Sequence, residues 1–519
     1  MSTELSWVGD WSGRRAMLTP TREALYDATS NSRYTYAQLD ERANRVGTYL
    51  RDVLALQPGD VVAFLSRNRV EPIDLYFATG KLGLILAPLS YRLAPPELDH
   101  LLARIKPKVL FYEEHFQTFL EKLTLPPVTQ ATISWGSPNS PYERIVLTTP
   151  PRPVNRAKSL DAVHLYIHTG GTTGLPKICL VSYRQMLWNS ISLIATGAGQ
   201  SGINQKELLT FPLFHIGGWN TVTPVFHIGG QVTLIREFDP DLILELIERE
   251  KITHFGGVEA MLRMIASRPR FAQTDFSSLE YITSAGAPCS TEVMRPFWEK
   301  GVLLTQAYGL TEGGPSNFFF VPVGRDWKTI QEKSQSIGFP MFHCDCKLVD
   351  PQTGQVITQA GEIGELWFRG PHTFEGYLDD PERTARVRDP DGWIHSGDLA
   401  RYDEDGFYYI VGRVDNMYIS GGENISPEEL EPVIAQHPAV AQVAVVGVPD
   451  EQWGAVGLAA VVVRPGHTIT VEELRDFCRQ RLGGFKVPKY FKFVDELPLS
   501  GPGKINRKIL RERFLKGEL

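Results

Sequence analysis

The sequence predicts an α/β protein in two parts: a large N-terminal α/β domain that carries a β-rich subdomain, then a small C-terminal α+β domain. Three observations predict it. At 519 residues the chain is longer than one compact core serves. Residues 36–112 alternate helix-like and strand-like patterns, as layered α/β structure requires. Short alternating runs with Asp391-Gly392 and Asp405-Gly406 turns then give way, after Arg413, to a compact helix and strand alternation.

In chain order, residues 38–54 read as a helix and residues 61–65 and 108–112 as short buried strands. Residues 125–153 are proline-rich with low periodicity. The run His164-Leu-Tyr-Ile-His168 reads as a buried strand entering a glycine-rich loop. Hairpins are expected over 362–410, then a helix at 427–436, strands at 440–448 and 458–463, and a helix at 471–481. The boundary is set near Val414, giving domains 1–414 and 415–519.

Composition narrows the function. Hydrophobic usage of 42% and charged usage of 22% are ordinary for a globular chain, so no disulfide or metal is needed to hold it together. A net charge of −7 offers no broad attraction to nucleic acid or anionic lipid, which favours a small-molecule substrate. The cysteines 179, 289, 344, 346 and 478 never form Cys-x-x-Cys, arguing against a disulfide framework and structural zinc. No basic start precedes an apolar stretch, and no run of about 18 apolar residues follows, so no membrane span and a cytoplasmic location are expected. The ending Gly517-Glu518-Leu519 is not a peroxisomal address.

The strongest local signal is Thr169-Gly170-Gly171-Thr172-Thr173-Gly174-Leu175-Pro176-Lys177. Glycines let backbone amides converge on an anion, threonine hydroxyls add donors, and Lys177 offsets phosphate charge. It is not a Walker A loop, because Pro176 precedes the lysine and Ile178 follows it. A second glycine pattern, Gly197-Ala-Gly-Gln-Ser-Gly202, follows a helix-like segment and precedes a strand-like one, the reverse of a dinucleotide fingerprint.

This nonamer resembles the phosphate loop of the adenylate-forming superfamily, which includes acyl-CoA synthetases, peptide-synthetase adenylation domains and luciferases. Further matching motifs follow in order: Ser284-Ala-Gly-Ala-Pro288, Ala307-Tyr-Gly-Leu-Thr-Glu312, Trp393-Ile-His-Ser-Gly-Asp398, Gly412-Arg-Val-Asp415 and Pro502-Gly-Lys504. The resemblance covers roughly residues 30–510 and implies an acyl-CoA synthetase using ATP, Mg²⁺ and coenzyme A. The alternative acceptor is a carrier protein; a homodimer is left open.

By that resemblance, Tyr308 and Gly309 with Gly286, Ala287 and Pro288 hold the adenine, and Asp398 takes the ribose hydroxyls with Arg413 beside it. Thr311 donates to the α-phosphate and Glu312 holds the metal. Lys504 bridges the substrate carboxylate and the α-phosphate, and because it sits in the small domain, that domain must move. Asp415 matches the hinge, Gly421 and Gly422 the pantetheine tunnel, and His215 a residue beside the acyl carboxylate.

The sequence also departs from the family pattern. Gly170 stands where many relatives carry serine, Ile178 where glycine is frequent, and Glu259 where proline is usual at the acyl pocket edge. No aspartate lies near His215 to meet an α-ammonium, so amino acids are disfavoured. Gly217, Gly218, Gly256 and Gly257 with Trp219 point to a roomy apolar pocket for an aryl, alicyclic or medium-chain acid. His227, in a second Phe-His-Ile-Gly-Gly copy, reads as a satisfied core or interface histidine.

Overall fold

A computed structural model describes residues 5–157, 159–169, 176–197, 201–420, 423–499 and 505–519. The chain forms two compact units, one of Met1–Cys346 and Phe368–Ile394, the other of Lys347–Trp367 and His395–Leu519. These units divide the chain differently from the 1–414 and 415–519 partition, because residues 395–413 share a sheet with residues 347–367. Compactness and the place where a chain bends are separate criteria.

Among the described residues, the first unit holds a nine-stranded sheet in the order Phe339–Pro340, Phe318–Phe319, Leu304–Tyr308, Tyr281–Ser284, His254–Gly257, Lys206–Leu209, Gln231–Leu234, Glu23–Asp27 and Ser32–Thr35. Its central pairings are parallel and its outer ones antiparallel. One face packs Phe255, Ile282 and Leu304 against the apolar sides of helices Pro240–Glu250, Glu259–Ala266 and Thr291–Glu299. Burying one face of each helix supplies the main stabilisation, as a two-layer architecture demands.

A seven-stranded sheet in the same unit runs Gly376–Tyr377, Lys177–Ser182, Val163–Thr169, Ile85–Leu89, Val61–Leu65, Val109–Glu113 and Ala131–Trp135. The helix Tyr36–Thr48 starts at a capping box, Thr35 with Gln38, and continues as a π-helical turn over Tyr49–Val53. The proline-rich stretch 125–153, of low periodicity in sequence, contains the strand Ala131–Trp135 and the helix Pro141–Thr148. Both are too short for a period to emerge between prolines. Tertiary pairing decides the strand, through its parallel register with Val109–Glu113 and the stacking of Trp135 on Phe111 at 5.7 Å.

The second unit contains most of a five-stranded sheet, Val356–Ile357, Asp345–Val349, Gly364–Arg369, Ile394–Tyr402 and Tyr408–Arg413, and a smaller sheet built on the long hairpin Val440–Asp450 and Gly454–Val463. Helices Pro427–Ala435 and Val471–Arg479 cover the smaller sheet around Leu430, Ile434, Val445, Val461 and Leu474. The hairpins expected over 362–410 are there, although Gly376–Tyr377 joins the seven-stranded sheet of the first unit. No helix among the described residues is long and apolar enough to cross a membrane.

Candidate functional site

Strands Val163–Thr169 and Lys177–Ser182, which flank the Thr/Gly segment, pair antiparallel with Thr169 opposite Lys177. Gly170, Gly171, Thr172, Thr173 and Gly174 lie outside the described residues. The ammonium of Lys177 stands 5.2 Å from the ring centre of Tyr377, within reach of its π-face. Tyr377 reaches this place through its short strand, which pairs with Lys177–Ser182 and sets Tyr377 opposite Cys179. Its hydroxyl donates to Glu312 Oε1 at 2.6 Å. Burial, then the Glu312 carboxylate, push the Tyr377 phenol up, so it stays protonated as a donor.

Glu312 is carried by a turn at the end of strand Leu304–Tyr308. Tyr308, half-buried, meets Phe318 edge-on at 6.1 Å. Next comes Gly309, where a Cβ would overlap the Pro315 carbonyl oxygen, so no larger residue fits this backbone. The 3₁₀ turn Thr311–Gly313 follows. Thr311 is buried, its carbonyl accepting from Gln185 Nε2 at 2.9 Å, and the Glu312 carbonyl accepts from the Phe374 amide at 3.0 Å. Both backbone carbonyls are therefore tied to separate elements.

Strand Tyr281–Ser284 lies beside Leu304–Tyr308 in parallel, with Ser284 opposite Gln306. Exposed Gly286, Ala287 and Pro288 leave its carboxyl end, Gly286 at a φ of +85° that favours glycine. Two adjacent carboxyl ends thus present Tyr308 and the 286–288 turn, where open parallel sheets bind ligands.

In the second unit, Asp398 and Arg413 are register partners on strands Ile394–Tyr402 and Tyr408–Arg413. Arg413 Nη1 donates to Asp398 Oδ1 at 2.8 Å. Asp415 is exposed in the turn that follows, where the amides of Asn416 and Met417 both donate to the Arg413 carbonyl. Gly421, Gly422 and Lys504 lie outside the described residues.

The family model described as AMP-binding enzyme matches residues 13–378, and that of the AMP-binding enzyme C-terminal domain matches residues 429–504. The chain belongs to the AMP-binding enzyme family. A feruloyl-CoA synthase of an Amycolatopsis species is 36% identical over 98% of this chain and 99% of its own length. An indoleacetate–CoA ligase of Aromatoleum aromaticum is 34% identical over 97% and 98%. The crystal structure of ATP-bound MatB from Rhodopseudomonas palustris superimposes with a TM-score of 0.87 at 26% identity, covering 98% of this chain and 99% of that one.

In this AMP-binding enzyme, His215 is exposed and caps helix Ile216–Ile228, its Nδ1 accepting from the Gly217 amide at 3.2 Å. Nearby His168 is half-buried and its Nε2 accepts from the Ser90 amide at 3.1 Å. Burial, with His215 nearby, brings its pKa down to about 4, so it is neutral.

The predicted roomy pocket is corrected in two places. Trp219 is fully buried and stacks on Tyr76 at 4.5 Å, and a Cβ on Gly218 would sit 2.6 Å from the Pro212 carbonyl oxygen. Both belong to helix packing, because a helix starting at residue 216 turns them away from Gly217. Phe211 fills the space over Gly256, its ring 2.8 Å from where a Cβ would stand. His227 is half-buried at the other end of the helix, edge-on to Trp11 at 4.8 Å, with both ring nitrogens shielded and without a hydrogen-bond partner among the described residues.

Tyr377 is the residue sequence reasoning missed. It lies 65 positions from Glu312, and nothing in its spacing marks it. Strand pairing alone brings it there.

Proposed function

We propose that this enzyme activates an aryl-substituted carboxylic acid with Mg-ATP as its acyl-adenylate, releasing pyrophosphate, and transfers the acyl group to coenzyme A, releasing AMP. The observation that carries the reading is the convergence of Lys177 and Glu312 on Tyr377: a phosphate-binding cation and a single carboxylate held by one side chain. The aryl class is supported by the feruloyl and indoleacetate names of two relatives that match almost full length.

Tyr308 and the 286–288 turn hold the adenine, and Asp398, oriented by Arg413, accepts the ribose hydroxyls. Lys177 meets the outer phosphates and Thr311 the α-phosphate. One half-buried carboxylate with its second oxygen available fits Mg²⁺, which takes one or two carboxylates together with nucleotide phosphates and keeps its waters. Bound at Glu312, that ion supplies charge neutralisation across the triphosphate.

A carboxylate oxygen of the acid attacks the α-phosphorus and pyrophosphate departs. Lys504 touches both anions, easing their repulsion and stabilising the charge that builds. His215, an exposed cap at the helix start, orients the acid carboxylate. In the second step the coenzyme A sulfur attacks the adenylate carbonyl and AMP leaves. The C-terminal part, residues 415–519, turns about Asp415 to withdraw Lys504 and bring Gly421 and Gly422 to line the pantetheine path. The exposed turn at Asp415 supports that hinge. The reaction takes place in the cytoplasm, which supplies both ATP and coenzyme A.

Incubation with Mg-ATP and a panel of carboxylic acids, with and without coenzyme A, tests this by mass spectrometry. Aryl thioester formed only with coenzyme A is expected. Adenylate without thioester moves the acceptor to a carrier-protein thiol, and acetate as the best acid overturns the aryl class.

A further inference from the structure

We infer that Thr283, through a relay with His254 and Glu207, recognises a hydroxyl on the acid at the end remote from its carboxylate. This rests on the aryl-acid reading above. On neighbouring parallel strands, His254 is opposite Glu207 on one side, and Gly256 is opposite Thr283 on the other. Alternate residues of a strand share a face, so Glu207, His254, Gly256 and Thr283 line one side of the sheet. Leu208, Phe255 and Ile282 line the other and are buried in the core.

The three polar side chains form a directed chain. His254 Nδ1 lies 2.6 and 2.7 Å from the two Glu207 carboxylate oxygens, and Nε2 lies 3.0 Å from Thr283 Oγ1. Gln205 Nε2 donates to Glu207 Oε2 at 2.8 Å and steadies the carboxylate. A carboxylate accepts, so Nδ1 carries the proton toward Glu207, and in the Nδ1–H tautomer Nε2 accepts the Thr283 hydroxyl. That commits the Thr283 proton inward and leaves its oxygen lone pairs for a donor from outside.

This end of the relay is partly exposed. Glu207 is 5% exposed and His254 15%, and Thr283 is half-buried. The Phe211 ring that covers Gly256, the register partner of Thr283, also lies 3.5 Å from the Cβ position of Gly217, next to His215. A run of adjacent groups therefore leads from His215 along Phe211 and Gly256 to Thr283. An acid placed with its carboxylate at His215 and its ring along Phe211 directs its far substituent at Thr283. An apolar pocket cannot select strongly for a hydroxyl, whereas a site built to pair one discriminates well.

The test compares pyrophosphate release from 4-hydroxycinnamate and cinnamate, and from 4-hydroxyphenylacetate and phenylacetate, as ratios of kcat/KM. The native enzyme is expected to favour the hydroxylated member of at least one pair by roughly 10-fold or more. Thr283→Val should bring that ratio to within about twofold of unity, and Thr283→Ser should retain it. If Thr283→Val does not fold, His254→Phe, which removes the acceptor at Nε2 from a different strand, is expected to lower the ratio in the same direction. A native ratio near unity in both pairs, or a ratio unmoved by these variants, overturns the relay while leaving the aryl-acid reading intact. No product from any aromatic acid overturns the aryl-acid reading itself, and the relay with it.

Discussion

The hydroxyl of Tyr377 donates to the carboxylate of Glu312 at 2.6 Å, while the face of the same ring lies 5.2 Å from the ammonium of Lys177. One buried side chain thus contacts both the lysine proposed to bind phosphate and the carboxylate proposed to hold the metal. Tyr377→Phe keeps the ring and removes the donor. The half-saturating Mg²⁺ concentration for pyrophosphate release should rise about 5- to 10-fold, the equivalent of one lost hydrogen bond. Tyr377→Leu removes both contacts and should also raise the KM for ATP; equal effects from the two variants would contradict the separate roles.

Asp398 and Arg413 form a pair in which the arginine is 44% exposed and the aspartate 10%. Solvent screening limits its value to stability, so Asp398→Asn should change unfolding free energy by no more than about 1 kcal/mol. The KM for ATP should rise about 10-fold or more, because the charged acceptor proposed for the ribose is lost. Denaturant titration beside steady-state kinetics separates the two effects.

Gly309 lies so close to Pro315 that an added methyl group must move backbone. Gly309→Ala is expected to cost about 1–3 kcal/mol in stability and, by displacing Tyr308 and Thr311, to weaken AMP binding as well. Calorimetric titration with AMP checks the second part without chemistry.

Lys504→Ala should lower the rate of adenylate formation by about 10²- to 10³-fold, the usual loss when a charge-stabilising group is removed. Transfer from supplied acyl-adenylate to coenzyme A should be far less affected, since the lysine is proposed to serve only the first step. Comparable losses in both half-reactions would refute that division.

Buried histidines make the fold acid-sensitive. Burial brings His164 down to about 3, and His227 and His372 to about 4. Above pH 6.5 each is neutral whether the chain is folded or not. Below it the unfolded chain gains protons that the native state refuses, so stability falls as pH drops towards 4, by about 1.4 kcal/mol per pH unit per histidine. His227 offers the clearest test, since neither ring nitrogen has a hydrogen-bond partner among the described residues. His227→Phe should flatten the pH dependence by one proton, measurable by urea unfolding between pH 5 and 7.5.

Much of the architecture was legible because it is local. Capping residues, buried β-branched runs and Asp-Gly turns announce elements such as Val61–Leu65, Pro427–Ala435 and the hairpin closed by Asp405 and Gly406. Residues 131–135 and 141–148 escaped notice because neither element is long enough to display a period, and each depends on a neighbouring strand or helix. Gly218 and Trp219 misled for a related reason: small and aromatic residues suit a pocket and a packed helix equally well.

By itself the sequence determined the family, the ordered motifs and the residue types that nucleotide chemistry requires, because those are properties of contiguous segments. Only the tertiary structure decided which distant residues meet: Tyr377 with Glu312 and Lys177, and Thr283 with His254 and Glu207. Strand order and register set those meetings, and register is the outcome of packing whole sheets against their helices, which no single segment encodes.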